Sequence, residues 1–416
     1  MSYSDTSIES IQSSELTSVR ATLMRGGSSK GLYFLGSDLP QEKAMRDAIL
    51  LASYGSPDSR QIDGVGGADP LTSKAAIVSV SHRDDADVEY TFCQVGIEDP
   101  AVSTGGNCGN MLAGVGAFAI LRGLVKGVDP LTTVRIFTTN TQQVVIAAIP
   151  TLDGMPVWDG DCSIAGVPGT GAVIRLDFGD CSGAVSGSLL PTGKAIDRVL
   201  INNQDIPLSL IDAATPFVFV RASDIGASGY ENPDQMRNNS LLMSTLEQIR
   251  GWAAVQMKIV SKSEEALAKS PNVPRVMMIA PAADYQSIQN QTILKNEIDV
   301  CVRQLSMQKP HKALAVTGAA CAAVASAVPG SLLQVLVGEN KDVVRLGHPS
   351  GVLRVASKSS LANGQVKIHS AQIERTCRLL MDGFVYVRKS KIQALLHTLR
   401  KNNDKTTEFP SSAIAD

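Results

Sequence analysis

The sequence is short of the features that mark several large classes of protein. Its 416 residues carry a net charge of −2, with 19% charged and only 4% aromatic residues. Binding to nucleic acid is not expected, because proteins that bind it present a strongly basic surface. No apolar run reaches the roughly 20 residues that a membrane-spanning helix needs, so we expect a soluble protein.

Residue patterns for metal binding and disulfide formation are also missing. The seven cysteines, at positions 93, 108, 162, 181, 301, 321 and 377, form no CxxC pair, and the five histidines show neither HExxH nor HxH spacing. We therefore expect no protein metal site, and a reducing intracellular compartment. The polar N-terminus lacks the apolar segment of a signal peptide, which favours the cytoplasm and leaves a mitochondrial location open.

Strand-like segments are abundant, and two unusual helical segments lie among them. The segments 107–125 (NCGNMLAGVGAFAILRGLV) and 316–333 (VTGAACAAVASAVPGSLL) have no polar stripe, so each helix must be enclosed by other elements. Strand-like runs precede and follow both of them. The sequence therefore predicts an α+β fold, in which a strand-rich half wraps around one central apolar helix and is built twice.

A cluster of Pro, Gly and charged residues at 190–205 marks the expected boundary between the two halves. Two domains also suit the chain length, because a single core rarely grows past about 250–300 residues. We predict a disordered leader at 1–18, an N-terminal domain at 19–195, a C-terminal domain at 196–395 and a polar tail at 396–416.

Both apolar helices begin with small polar residues and glycine. Asn107, Gly109 and Asn110 open the first helix, and Thr317 and Gly318 open the second. The unpaired N–H groups and partial positive charge of a helix start make a cradle for an anion. Two such starts facing each other would bind a substrate that carries two or more carboxylates.

Cys108 lies at the first of these helix starts. The helix dipole there favours the thiolate and raises its reactivity. A small, buried structural residue is the alternative interpretation of a cysteine in a glycine-rich stretch, and position alone favours it.

A second glycine-rich segment, MRGGSSKGLYF (24–34), combines backbone amides, hydroxyls and cations. Ser28 and Ser29 could hold a carboxylate, with Arg25 adding a charged fork. A phosphate-binding loop is excluded, because the GxxxxGK[ST] pattern is not present. A tight glycine turn with solvent-facing charges is the alternative.

The third such segment, IDGVGGADPLTSKAAIVSV (62–80), resembles a dinucleotide-binding loop only loosely, because a strand follows its glycines where a helix should. Lys74 begins that apolar strand, where it should be partly desolvated. Burial disfavours the ammonium form and can lower a lysine pKa from ~10.4 by several units, which suits a general base. A surface lysine whose stem packs on the strand is the alternative.

Five motifs occur in the order and spacing of one known family: MRGGSSKGLYF, SPDSRQIDGVGGADPLTSK, GGNCGNMLAGVGAFAI, LSMQKPHKALAVTGA and VRLGHPSGVLRV. They resemble the PrpF-type isomerases, which include 2-methylaconitate cis-trans isomerase, aconitate Δ-isomerase, 4-oxalomesaconate tautomerase and methylitaconate isomerase. The resemblance extends from about Arg20 to Lys391. The motifs identify the family specifically, but they indicate much less about which substrate is used.

The resemblance implies a diaminopimelate-epimerase-like fold with the active site between two similar domains. In the related epimerases, two cysteines face each other across the substrate carbon, one at each helix start. Cys108 matches the first position, whereas Ala315 stands at the second and cannot accept a proton. The resemblance also implies that Lys74, in the TSK motif, is the essential acid/base.

Anion binding is expected from residues at the helix starts and in the quoted motifs. The predicted substrate-binding residues are Arg25, Ser28, Ser29, Gly109, Asn110, Thr317, Gly318, His348 and Ser350. No metal and no organic cofactor is expected, and a homodimer is left open.

The predicted function is a proton-transferring isomerase acting on a small di- or tricarboxylate of the aconitate or 2-methylaconitate type. VRLGHPSGVLRV looks closest to the methylaconitate branch, whereas SPDSRQIDGVGGADPLTSK also resembles oxalomesaconate tautomerases. Four alternatives stay open: tautomerisation of 4-oxalomesaconate, isomerisation of an alkylated aconitate in biosynthesis, non-catalytic carboxylate binding, and a dinucleotide-dependent oxidoreductase.

Overall fold

The computed structural model describes residues 11–407 except 180, 184, 307, 339–340 and 363–364. The first part of the chain forms β1 (Leu16–Gly26), β2 (Ser29–Leu35), α1 (Lys43–Tyr54), β3 (Lys74–Val80), β4 (Val88–Val95), β5 (Val102–Ser103), α2 (Gly109–Leu121), β6 (Leu131–Thr138), β7 (Gln143–Leu152), β8 (Met155–Pro156) and β9 (Ile174–Asp177). The second part forms β10 (Asp197–Ile201), β11 (Gln204–Ala213), β12 (Thr215–Arg221), α3 (Pro233–Asn238), α4 (Ser240–Gln256), α5 (Ala266–Lys269), β13 (Arg275–Pro281), β14 (Tyr285–Gln286), β15 (Thr292–Ile293), β16 (Val300–Ser306), β17 (Lys309–Pro310), α6 (Val316–Ser326), α7 (Leu332–Val337), β18 (Val343–His348), β19 (Gly351–Ala362), β20 (Gln365–Arg375), β21 (Cys377–Arg388) and α8 (Lys389–Thr407).

The two halves share one pattern of strand pairing. The first half has the order β21–β1–β2–β3–β4–β6–β7–β9. The second has the order β10–β11–β12–β13–β16–β18–β19–β20. In both, the third and fifth pairings are parallel and the others are antiparallel, and β9 pairs with β20 to join the halves. The predicted α+β fold, built twice on one plan, is confirmed.

Each half encloses one apolar helix. In α2 every residue from Gly109 to Ile120 is buried, and α6 is buried along its whole length. Both helices share one continuous apolar core, while α1 and α8 cover the outer face of the first half and α4 covers that of the second. Nowhere in the described ranges is a helix both long and apolar enough to cross a membrane.

The second apolar helix is shorter than the predicted 316–333. It ends at Ser326, and a turn leads from there into α7. Pro329 and Gly330 lie in this turn, and Gly330 has a φ of +79°. Proline and a left-handed glycine together stop a helix, which explains the difference.

The first and last elements of the described part of the chain lie against the first half. β1 begins at Leu16, inside the segment expected as a leader, because its first residues pair with the end of β21. β21 holds the place in the first half that β10 holds in the second, and α8 then packs on α1. The helix α8 also enters the segment expected as a polar tail. The domain boundary near residue 195 stays a prediction, and residues 1–10 and 408–416 lie outside those described.

Gly31 fixes the spacing of β2 and β3 where Lys74 begins. A Cβ on Gly31 would lie 1.8 Å from the carbonyl oxygen of Lys74. We expect Gly31→Ala to cost about 2–3 kcal/mol of stability, because the two strands must move apart. The matched control is Gly383→Ala in β21, where an added Cβ meets nothing within 4 Å, and we expect it to stay within about 0.5 kcal/mol. Equal thermal midpoints for the two variants would contradict this close approach.

Candidate active site

Two cavities lie where the halves meet. The first cavity encloses about 600 Å³ of space, part of it open to solvent, and the second about 550 Å³. The first is lined by Ser29, Leu71, Lys74, Phe92, Gln94, Ser103, Gly106, Asn107, Cys108, Gly109, Asn110, Asn272, Arg275, Ser306, His311, Ala315 and Val316. The second is lined by Ser28, Asn110, Cys162, Ser163, Ile164, Ala165, Ala313, Leu314, His348, Val352, Leu353, Arg354, Glu374 and Arg375. Asn110 belongs to the walls of both.

The starts of α2 and α6 meet at the first cavity. Cys108 is the N-cap residue of α2 and Ala315 is the N-cap residue of α6, and both line this cavity. A Cβ on Gly109 would lie only 2.4 Å from the Cβ of Val316, so glycine is needed for the approach. The N-caps of both helices lack a side-chain hydrogen bond. Two sets of helix-start N–H groups therefore adjoin one space, which suits an anion.

Lys74 places an amine in the same space. It is the first residue of β3, it is 8% exposed, and its Nζ donates a hydrogen bond to Oε1 of Gln94 at 2.6 Å. The Nζ also lies 5.1 Å from the centre of the Phe92 ring. Burial lowers the pKa of Lys74 below its ordinary value, and the positive charge of Arg275 lowers it further, against the opposing effect of Cys108 and Asp69. A lysine in this setting can act as a base closer to neutral pH.

Cys108 faces the first cavity from the helix start. It is half-buried, and its own N–H donates to Oδ1 of Asn107 at 2.8 Å. Tyr90 donates to the carbonyl oxygen of Cys108 at 3.3 Å, which fixes the backbone from the other side. The thiol is thus held at a rigid position with one side open to the cavity.

Sequence reasoning missed several residues of the first cavity, and two of them are titratable. Arg275 begins β13 and is 8% exposed, and burial lowers its pKa. Burial also lowers the pKa of His311 to about 4, so the ring is neutral near pH 7. Its Nδ1 accepts the N–H of Ala313 at 3.0 Å, so the proton of the neutral ring sits on Nε2. His311 lies in the quoted motif LSMQKPHKALAVTGA, which was the available signal.

The serine loop between β1 and β2 forms the wall shared by the two cavities. Ser29 lines the first cavity, and its buried hydroxyl has no hydrogen-bond partner in the part of the chain described here. Ser28 lines the second, where Nδ2 of Asn110 donates to its Oγ at 3.2 Å. Arg25 donates to the carbonyl oxygens of Gly27 and Thr376 at 2.8 and 2.9 Å. The structure places Arg25 behind this loop, where it holds the loop in position and lines neither cavity.

Of the predicted binding residues in the second half, one lines a cavity and three lie behind the cavity walls. His348 lines the second cavity. Ser350 is buried and donates to the carbonyl oxygen of Lys312 at 2.5 Å. Thr317 and Gly318 follow the cavity-lining Val316 in α6, and they line neither cavity. The structure thus brings Lys74, Cys108 and the helix starts together. It places Ser350, Thr317 and Gly318 behind the cavity walls.

The glycine-rich loop before β3 is built around one side chain. Gln61 donates to the hydroxyls of Ser56 and Ser73 at 3.0 and 2.8 Å, and its Oε1 accepts the N–H of Ala68 at 2.9 Å. A Cβ on Gly66 would lie 2.3 Å from this side chain. Gly66 therefore allows this loop to pack closely around Gln61. Among the described residues, no three His, Cys, Asp or Glu side chains are grouped so that they could hold a metal ion.

Comparison with known proteins supports the resemblance found in the sequence. A family model described as "PrpF protein" matches residues 16–388. The chain is 42% identical to 3-methylitaconate isomerase of Eubacterium barkeri, over 90% of this chain and 98% of that protein. It is 42% identical to (4E)-oxalomesaconate Delta-isomerase of Novosphingobium sp. (88% and 96% covered) and 38% identical to 2-methyl-aconitate isomerase of Shewanella oneidensis (89% and 97% covered).

Solved structures agree on the fold. The crystal structure of methylitaconate-delta-isomerase is similar with a TM-score of 0.78 and 41% identity, covering 91% of this chain and 98% of that one. A hydroxyproline epimerase of Agrobacterium vitis is similar with a TM-score of 0.51 and 11% identity, covering 91% and 94%. The second likeness shows the shared epimerase-like fold alone.

The pKa of Lys74 offers a direct test of the first cavity. We expect Arg275→Met to raise it, because a nearby positive charge that disfavours the ammonium is removed. The measurement is acetylation of Lys74 by acetic anhydride as a function of pH, followed by peptide mass spectrometry. Arg198→Met, at an exposed arginine paired with Asp205, is the control and should leave the labelling curve unchanged. A Lys74 curve that does not move to higher pH in Arg275→Met would show that the two cations do not interact.

Proposed function

Because the chain belongs to the PrpF family of isomerases, we propose that it moves a proton on an unsaturated tricarboxylate of the aconitate or 2-methylaconitate type, without a cofactor. The observation that carries the proposal is a desolvated amine, Lys74, in a cavity that two helix starts adjoin. The names of the similar isomerases support an unsaturated polycarboxylate as substrate: two of the three name a tricarboxylate, and the third names the dicarboxylate 3-methylitaconate.

The reaction needs a base that can take and return one proton. An allylic C–H bond next to a carboxylate breaks, its proton moves to Nζ of neutral Lys74, and its electron pair spreads over the double bond and the carboxylate. Return of the proton at the far end of the allyl unit shifts the double bond. Return at the original carbon after rotation exchanges cis and trans. The hydrogen bond from Nζ to Gln94 fixes the direction of the amine during both transfers.

Positive potential in the first cavity stabilises the charge that develops on the substrate. Arg275 supplies a full charge, and the helix starts at Cys108 and Ala315 supply N–H groups. Ser29 Oγ and His311 Nε2 add neutral donors. Donors that are already in place cost no reorganisation when the charge spreads, which is how such sites accelerate proton abstraction.

Cys108 is the candidate for a second acid/base, because its thiol enters the cavity from the helix start. A second group lets the proton leave on one face and arrive at another carbon without the amine travelling between them. Ala315 at the equivalent position of α6 cannot take up a proton, so a symmetric two-thiol epimerisation of an amino acid is not proposed.

Tautomerisation of a 4-oxalomesaconate-type keto acid is the second candidate, favoured by 42% identity to (4E)-oxalomesaconate Delta-isomerase. It would use the same base and the same cavity. A cytoplasmic setting is also proposed. It is supported by six cysteines that form no disulfide among the described residues: Cys93, Cys108, Cys162, Cys301, Cys321 and Cys377.

The role of Lys74 is tested by solvent exchange. We expect Lys74→Ala to lower deuterium incorporation from deuterium oxide into cis- or trans-aconitate and 2-methylaconitate by about 10³-fold or more, since the amine that takes up the proton is removed. Lys74→Arg should rescue little, because a guanidinium does not release its proton near neutral pH. The assay is NMR across a panel of unsaturated di- and tricarboxylates. Near-normal exchange in Lys74→Ala would remove the assignment, and no exchange in the wild type with any acid would favour a binding protein.

The role of Cys108 is tested by a conservative change. If its thiol is the second acid/base, Cys108→Ser should lower turnover by about 10²-fold while the substrate still binds. The control is Cys93→Ala, at a buried cysteine of β4 in the apolar cluster that α1 and α8 cover. This variant should retain activity. Turnover in Cys108→Ser within a few-fold of the wild type would give this residue a structural role only.

A further inference from the structure

The second cavity contains a buried guanidinium that forms no ion pair with a carboxylate of the described residues. Arg375, the last residue of β20, is 6% exposed. Its Nη1 donates to the carbonyl oxygen of Glu374 at 3.0 Å, and its Nε has no hydrogen-bond partner among the described residues. The nearby carboxylate of Glu374 pairs instead with Arg175, at 3.2 Å and in a more exposed position. A buried cation of this kind is costly unless an anion joins it.

His348 supplies a second unused donor to the same cavity. The side chain is 1% exposed, and its Nδ1 accepts the N–H of Ser350 at 3.2 Å. Burial holds the pKa of His348 well below its usual range, so the ring is neutral and carries its proton on Nε2. That Nε2 has no partner in the part of the chain that the structure describes. Buried donors are almost always satisfied in folded proteins, so two open ones in one cavity indicate a missing acceptor.

The position of the cavity restricts what the acceptor can be. Asn110 lines both cavities, and the adjacent residues Ser28 and Ser29 line one each. The two cavities are therefore adjacent, and a substrate whose reacting carbon lies beside Lys74 would reach the second one through a short arm that passes Asn110. The arm would end between an arginine fork, a histidine N–H and the Ser28 hydroxyl. A planar carboxylate matches this set, because a guanidinium binds it through paired donors.

We propose that the second cavity is the binding subsite for the third carboxylate of the substrate, and that it makes the enzyme selective for tricarboxylates over dicarboxylates. The inference rests on the proposed function, because the other two carboxylates are placed in the first cavity with Arg275 and the helix starts. The second cavity takes no part in the proton transfer. It adds binding energy and fixes which end of the substrate faces Lys74.

The experiment compares two substrates in the same enzyme. Deuterium exchange is followed by NMR with 2-methylaconitate, a tricarboxylate, and with 3-methylitaconate, a dicarboxylate. We expect Arg375→Met to lower kcat/KM for the tricarboxylate by about 10- to 100-fold, mainly through KM, because a charge-assisted pair is lost. The value for the dicarboxylate should stay within about 3-fold, which also shows that the variant is folded. For Arg375→Lys, kcat/KM on the tricarboxylate should lie between the values of the wild type and of Arg375→Met.

The matched control is Arg378→Met, at an exposed arginine of β21, the next strand along the chain. It should keep the wild-type ratio of the two kcat/KM values. Equal losses on both substrates in a folded Arg375→Met would overturn the proposal, and so would an unchanged ratio. Wild-type enzyme that exchanges neither substrate would overturn the proposed function itself, and the subsite with it.

A measurement on the wild type covers the case in which Arg375→Met does not fold. We expect tricarballylate, a saturated tricarboxylate, to inhibit competitively with a Ki at least about 10-fold below that of methylsuccinate. Equal Ki values would overturn the proposal. Stabilisation of the protein by inorganic phosphate without competition against the tricarboxylate would also overturn it, since the cavity would then bind a free anion.

Discussion

The close approach of two helix starts is the constraint on which the rest of the site depends. α2 and α6 are buried on all sides, so neither helix can move without disturbing the common core. Where they meet, Gly109 leaves room for Val316, and any larger residue would push the starts apart. Rigid packing therefore fixes the N–H groups before a ligand arrives. Preorganised dipoles of this kind are effective because they do not reorient during the reaction.

The same burial explains why the cations of the site have unusual properties. Lys74, Arg275 and Arg375 are each less than a tenth exposed, and none of them forms an ion pair with a carboxylate among the described residues. Desolvation lowers the pKa of all three, that of Arg375 to about 10. For the lysine, this shift makes a base available. For the two arginines it leaves the charge in place, so they remain able to bind carboxylates. One physical effect thus favours a proton acceptor at one position and leaves two cations at the others.

Much of this arrangement could be predicted from the sequence, and the remainder has a physical reason for being missed. The enclosed helices were visible because an all-apolar helix has no place on a surface, and Lys74 because it begins an apolar strand. Arg275 carries the same signal, as the first residue of β13, but a single arginine before a strand is common. Its equivalence to Lys74 becomes clear only from the structural repeat, because the two halves are too dissimilar in sequence to be aligned. Arg375 and His348 come together only through the pairing of β18 with β19 and of β19 with β20. The pairing of β1 with β21 joins segments from opposite ends of the described chain, which local sequence patterns do not reveal.

The repeat also explains how a symmetric frame can carry one-sided chemistry. β3 and β13 hold equivalent places in the two pairing orders, so Lys74 and Arg275 are equivalent residues, as are the helix N-caps Cys108 and Ala315. The two members of each pair occupy equivalent positions, but only one of them can release a proton. Lysine can give up a proton and arginine cannot; the thiol can exchange one and the methyl group cannot. In both pairs the member that can release a proton comes from the first half, while its counterpart in the second half contributes fixed charge or shape. A substrate held between them would be deprotonated from one side only, which suits moving a double bond and does not suit inverting a carbon centre.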